Sequence, residues 1–157
     1  MEVKLPKRTI EEEVRRLAAI EDIKQLKARY CAYCDANYDP DGITEMFIED
    51  GTWDGASFGS YKGKSEIHEF FSNISGDIVF AGHLVVNPII TVSDDANSAT
   101  GKWWLIMPCT VKSEGVNEAR WLLAEYSDDY VCVDGDWFYK SLKLDLHHFV
   151  PHLKGWA

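Results

Sequence analysis

Two ionisable residues stand in apolar surroundings, and their types suit proton transfer. Asp35 follows the uncharged stretch Tyr30-Cys31-Ala32-Tyr33-Cys34, near the end of a helical pattern. His83 is the sole titratable side chain of Val79-Phe80-Ala81-Gly82-His83-Leu84-Val85-Val86. A carboxylate that accepts from one imidazole nitrogen fixes the tautomer and raises the basicity of the other nitrogen. Such a pair is a general base able to take a proton from carbon or oxygen. The competing reading is a satisfied core histidine and a solvated helix-end carboxylate, and spacing alone does not choose between them.

Other reactive residues carry weaker signals. Cys31 and Cys34 form a C-x-x-C inside a helical pattern, whereas a redox pair needs a helix N-terminus to lower its thiol pKa. No second C-x-x-C completes a zinc site, so these two cysteines, with Cys109 and Cys132, are expected to be structural and reduced. His147, His148 and His152 cluster near the C-terminus, but neighbours on a strand face opposite sides. With no acidic residue placed to complete a site, no metal is expected.

The elements that must hold Asp35 and His83 follow from periodicity. Thr9 and Glu12 match a capping box. Ile10, Val14 and Leu17 give one helical register; Ile20, Ile23, Leu26 and Tyr30 give a second, shifted near residues 18–21. The expectation is a short leading helix within residues 1–19, then a longer one from Ile20 to Asn37, ended by Asp39-Pro40-Asp41-Gly42. A helical turn at Ile43–Phe47, short strands at 52–54 and 60–61, and a helix from Lys64 to Asn73 come next. From Asp77 the pattern turns to strands over 78–92, 99–111, 117–133 and 136–150. Pro88 marks an edge or bulge, and Asp134-Gly135 marks a tight hairpin. Helices first and four long antiparallel strands after make an α+β plan, read as one domain over 1–157.

Composition narrows the functional classes. The 157 residues include six Trp, seven Tyr and seven Phe, and 46% are hydrophobic. A formal charge of −10 argues against nucleic acid or an anionic membrane, which need clustered Lys and Arg. The N-terminal MEVKLPKRTIEEEVRR lacks the apolar core of a signal peptide, so a cytoplasmic location is expected. Alternation puts Trp103, Leu105 and Met107 on one face of a strand, with Trp104 and Ile106 on the other. One face should line an interior, and the other needs cover, expected from a partner subunit in a homodimer or homotrimer. Trp103, Trp121 and Met107 are the expected walls of a pocket for a flat, bulky, aromatic or polycyclic ligand. In the last strand Ser141, Lys143, Asp145 and His147 alternate with apolar residues, which leaves Lys143 either solvated or touching a substrate anion.

The order of Ile20–Tyr30, Asp35, Tyr61-Lys62-Gly63, His83, Gly101-Lys102-Trp103 and Asp134-Gly135-Asp136-Trp137 resembles the SnoaL-like branch of the NTF2-like superfamily. The resemblance covers nearly all of Ile20 to Pro151. It implies a cone-shaped α+β barrel, N-terminal helices packed on a curved antiparallel sheet, with a deep apolar pocket and an oligomeric assembly. Its dehydratase and dehydrochlorinase members use an Asp–His pair at the positions of Asp35 and His83, and a pocket tyrosine that acts as hydrogen-bond donor or acid matches Tyr30. Two departures stand out. Met107 occupies the place of a pocket aspartate of one dehydratase member, whose pocket arginine falls at Lys143 or, by another register, at Leu146, while the arginine of the dehydrochlorinase member falls at Ser141.

The reading is a lyase without cofactor, acting on a hydrophobic ring-bearing molecule by elimination or by C–C cleavage such as formaldehyde release. The alternative is a non-catalytic small subunit of a ring-hydroxylating dioxygenase or a ligand-binding module. Epoxide hydrolysis or ketosteroid isomerisation is a third reading; the isomerase needs an inward Asp base and a tyrosine oxyanion hole.

Overall fold

The structure is a computed structural model and describes residues 8–155. It opens on α1 (Ile10–Asp35), whose N-terminus is closed by the expected capping box: Glu12 N–H donates to Thr9 Oγ1, and Thr9 N–H donates to the Glu12 carboxylate. The two expected helices are one helix of 26 residues. The change of register marks a change of surroundings, not a break. Ile10, Val14 and Leu17 are 84%, 59% and 54% exposed, while Ala19, Ile23, Leu26, Lys27, Tyr30 and Cys34 are buried. Residues 1–7 of the expected leading segment lie outside the described residues.

After α1 the chain turns sharply. Asn37 and Tyr38 both take left-handed backbone conformations (φ 62° and 55°), and Asp39 then caps α2 (Pro40–Glu45) by accepting from Gly42 N–H. The third helix, α3 (Gly63–Ile74), buries Ile67, Phe71 and Ile74. Among the described residues no helix is long and apolar enough to cross a membrane.

Seven strands form one sheet: β1 (Phe47–Asp54), β2 (Ser60–Lys62), β3 (Ile78–Ala81), β4 (Leu84–Val92), β5 (Ser98–Ser113), β6 (Val116–Val133) and β7 (Asp136–Pro151). Their order is β2-β1-β7-β6-β5, and β3 and β4 share the far edge of β5. The pairings are antiparallel except β1 with β7, so the sheet is mixed where sequence order predicted an antiparallel one. Helices packed on this curled sheet make an α+β half-barrel. Asp134 and Gly135 form the β6–β7 turn with positive φ at both residues, as a tight hairpin demands. Pro88 sits in β4, which pairs only with β5, at a bulge between Val86 and Ile89.

Two irregularities in β7 reset its alternation. Lys140 is an extra residue between the pairs Tyr130–Tyr139 and Asp129–Ser141, and His147 is an extra residue between Ala124–Leu146 and Leu123–His148. Tyr139, Leu142 and Leu144 face inward before the second bulge; Phe149, opposite buried Leu122, packs on the core after it. The same bulge overturns the expectation that His147 and His148 face opposite sides. His147 stacks on Trp104 and bonds Glu125, and His148 lines an outer groove beside Trp121 and Leu123. No group of three or more potential metal ligands forms among the described residues.

Candidate active site

The break between β3 and β4 shapes the site. The two strands pair with β5 on either side of Met107 and Pro108, and Gly82-His83 spans the gap. Gly82 N–H donates to Pro108 O, while His83 N–H, outside any strand ladder, donates to Asp35 Oδ1 at 3.0 Å. Asp35 is the last residue of α1, so the helix end meets the kink in the sheet. His83 Nδ1 lies 2.7 Å from the same carboxylate oxygen. An ionised carboxylate only accepts, so Nδ1 carries the proton and Nε2 keeps its lone pair. The His83 side chain is 6% exposed and that of Asp35 37%, so the imidazole is inside and its partner reaches solvent.

His83 lines a cavity between the helices and the sheet. Tyr30, Tyr38, Trp53, Phe71 and Tyr126 supply aromatic walls, and Leu105, Met107, Leu122 and Leu144 supply the aliphatic ones. Among the described residues no Lys, Arg, Asp or Glu lines it. Its free volume is about 40 Å³. A cavity of about 150 Å³ is known to take up benzene, so a ring-bearing ligand enters here only if side chains part. Phe58, Phe70 and Ile74 line both this cavity and a surface groove beside Tyr61 and Asp77, which makes them the thin wall. Phe58 rides a single 3-10 turn between Gly55 and Gly59.

The phenols in the wall are protonated, because burial pushes Tyr30, Tyr38 and Tyr126 up from the ordinary tyrosine value. Tyr30 O accepts from Trp53 Nε1 at 2.8 Å, which ties its oxygen to β1. The cavity therefore holds one base and several neutral hydroxyls in an apolar frame.

A family model described as a SnoaL-like domain matches residues 15–143. The chain belongs to the SnoaL-like domain family. No curated protein sequence matches it significantly. Among solved structures, this SnoaL-like domain is similar to a hexachlorocyclohexane dehydrochlorinase (LinA) of type 2: TM-score 0.80, 22% identity, with 88% of this chain and 92% of that chain covered. A candidate scytalone dehydratase from Novosphingobium aromaticivorans gives TM-score 0.77 at 20% identity, over 89% and 91% of the chains. An NTF2-like protein with a cystatin-like fold from the same organism gives 0.67 at 20% identity, over 94% and 90%. At these identities the likeness establishes the fold.

The SnoaL-like frame brings some expected residues together and separates others. His83, Tyr30 and Met107 line the cavity, and Asp35 holds His83 from outside its wall. Trp103 faces inward as alternation predicts, but it is buried beside Lys27 and Tyr130, off the cavity wall. Trp121 is corrected to the outer face, because the inward residues of β6 are Leu122, Ala124, Tyr126, Asp128 and Tyr130; its Nε1 donates to His152 Nδ1. Lys143 is also corrected. It sits on the outer face opposite Ser127, 54% exposed, in an ion pair with Asp145 that holds its ammonium pKa above the ordinary lysine value.

Behind the cavity lies an unexpected buried ion pair. Lys27 Nζ donates to Asp128 Oδ2 at 2.9 Å, both side chains are fully buried, and Tyr130 O–H donates to the same oxygen. The ammonium also stands 3.3 Å from the centroid of the Tyr126 ring, a cation–π contact. Burial pushes the Asp128 carboxyl up, and Lys27 pulls it back down. The helical spacing Ile23, Lys27, Tyr30, Cys34 is the signal that could have found Lys27. For Asp128 it is the strand alternation Tyr126, Asp128, Tyr130.

The cysteines are packing residues. Burial raises the Cys31 thiol to about 11 and pushes Cys34 up as well, the reverse of a reactive pair.

Proposed function

We propose that this SnoaL-like domain is a lyase in which His83, held by Asp35, removes a proton from a hydrophobic, ring-bearing substrate. The observation that carries the reading is the Asp35–His83 bond at 2.7 Å, which leaves Nε2 as the base of a cavity otherwise built of neutral side chains. When Nε2 takes a proton, the imidazolium charge is balanced by Asp35. It also lies at the C-terminal end of α1, where unpaired carbonyls favour positive charge. The electron pair left on the substrate can expel a hydroxyl or halide, or, after removal of a hydroxyl proton, break a C–C bond. Tyr30 stands in the same wall as a neutral donor for a substrate oxygen. Dehydration and dehydrochlorination, named for two structural neighbours, belong to this class. The absence of Lys and Arg from the wall supports an uncharged reacting part, aromatic or polycyclic once the wall has parted.

A doubly bonded His–Asp pair with its imidazole buried counts against a purely structural subunit, which has no use for a base in its pocket. The test is a panel of β-hydroxy and β-halo cyclic ketones and of hydroxymethyl ketones incubated with the protein. Alkene with water or halide identifies elimination, and formaldehyde identifies C–C cleavage. If no member of the panel turns over, and none exchanges its acidic C–H with D2O, the reading fails.

The outer face of the sheet supports an oligomer. Leu84, Ile89 and Ile106 are exposed there, beside a groove of about 250 Å³ lined by Trp121, Leu123 and Val150. An apolar face of this kind on a sheet is ordinarily covered, and we assign the cover to further copies of this chain.

A further inference from the structure

Tyr38 lines the cavity, and its hydroxyl is bonded by no protein group among the described residues. Tyr38 follows α1 by three residues and takes φ 55°, a conformation that costs a bulky residue energy and persists only when the surroundings enforce it. The enforcement is visible. Its ring stacks on Phe71 (centroids 6.1 Å, 22°) and stands edge-on to the His83 imidazole (6.0 Å, 84°), and the residue is buried. Tyr30 differs in that its oxygen already accepts from Trp53 Nε1, which ties it to β1. The Tyr38 oxygen has no hydrogen-bond partner among the described residues, yet it is not a sealed, orphaned atom like the hydroxyl of Tyr139. A strained backbone that delivers a free donor beside the base, in a wall without other charge, is the geometry of a substrate contact.

We infer that the Tyr38 hydroxyl is the donor that binds and protonates the departing substrate oxygen, opposite the His83 base. This assignment rests on the lyase reading above. His83 Nε2 takes the proton from carbon, and the C–H electron pair becomes the new C=C bond. The C–O bond breaks with its pair on oxygen. That oxygen takes the Tyr38 proton and leaves as water. The imidazolium then returns its proton to the phenolate, and both residues are restored. Burial keeps the phenol neutral beforehand, the form in which it can donate.

The test uses p-cresol and toluene, which differ by one hydroxyl, in calorimetric titrations of the wild type and of Tyr38→Phe, Tyr30→Phe and His83→Gln. Phenylalanine keeps the ring contacts of Tyr38 and removes only the oxygen. The wild type is expected to prefer p-cresol. Tyr38→Phe should weaken p-cresol about fivefold, the loss of one neutral hydrogen bond, with toluene unchanged within twofold. Tyr30→Phe, at a residue whose oxygen is tied to Trp53, should weaken p-cresol less than Tyr38→Phe does. The assignment is overturned if the loss appears with Tyr30→Phe in its place, if cresol and toluene fall together, or if the wild type does not prefer cresol. His83→Gln separates the two ideas. The base is tested by substrate C–H exchange with D2O: exchange that persists in His83→Gln overturns the lyase reading, whereas exchange lost there with cresol binding indifferent to Tyr38→Phe overturns only the donor.

Discussion

Asp35 grips His83 twice, through the backbone N–H at 3.0 Å and through Nδ1 at 2.7 Å, so one carboxylate fixes both the main chain and the tautomer of the base. His83→Ala should lower kcat by about two to four orders of magnitude, the usual worth of a general base. Asp35→Asn should do comparable harm, because an amide can donate to Nδ1 and place the proton on Nε2. In steady-state kinetics on a turned-over substrate, both losses should fall on kcat with KM little changed. Full activity in either variant removes that residue from the chemistry.

The thin wall should set ligand size. Phe58→Ala removes a ring from the partition between cavity and surface groove. The variant should bind 2-naphthol more tightly than the wild type does, with p-cresol affinity changed little. Fluorescence titration reads the ratio, and an unchanged ratio would mean that entry lies elsewhere.

Removal of Lys27 should be costly. Lys27→Met leaves Asp128 buried without its cation, a change that typically costs about 3–5 kcal/mol. Lys27→Met combined with Asp128→Asn should recover much of that loss, since neither charge is then stranded. Urea denaturation of the two variants measures the difference.

Alkali should weaken the fold partly through Cys31. Its thiol is held up to about 11 in the folded protein, against 9.0 as an ordinary thiol. The folded state therefore keeps a proton that the unfolded chain gives up. Stability from this group is complete below pH 9 and is lost as pH rises toward 11. The loss amounts to about 3 kcal/mol at about 1.4 kcal/mol per pH unit. In reducing buffer, Cys31→Ala should flatten the fall of Tm between pH 8.5 and 10.5; an identical slope contradicts the assignment.

Ile106→Asp places a charge in the middle of the exposed apolar face, away from the cavity. Sedimentation should then show a smaller species than the wild type at equal concentration. A wild type that is monomeric at high concentration would leave that face without the partner assigned to it.

The parts of the fold that were legible in sequence are those where one period persists. Residues Ile67, Phe71 and Ile74 announce α3, and alternation through Ala99–Met107 places Trp103 and Met107 inward correctly. The first turns of α1 misled because exposed Ile10, Val14 and Leu17 mimic a buried stripe. The parallel pairing of β1 with β7 is a long-range contact that no local pattern encodes. In the site, Asp35 and His83 were visible as charges among apolar neighbours. Tyr38 was not, since a residue in a turn has no period and its value comes from an unusual φ. Trp121 looked like a wall residue because strand alternation names two faces without saying which is inside.

The extra residue at His147 has a consequence for how such a pocket can diversify. Before it, β7 offers one set of positions to the interior; after it, the opposite set. Leu142 and Leu144 are therefore phased independently of Phe149, which meets the wall residue Phe58. Gain or loss of a single residue at that point would exchange which side chains greet an arriving ligand, while every contact deeper along the strand kept its place.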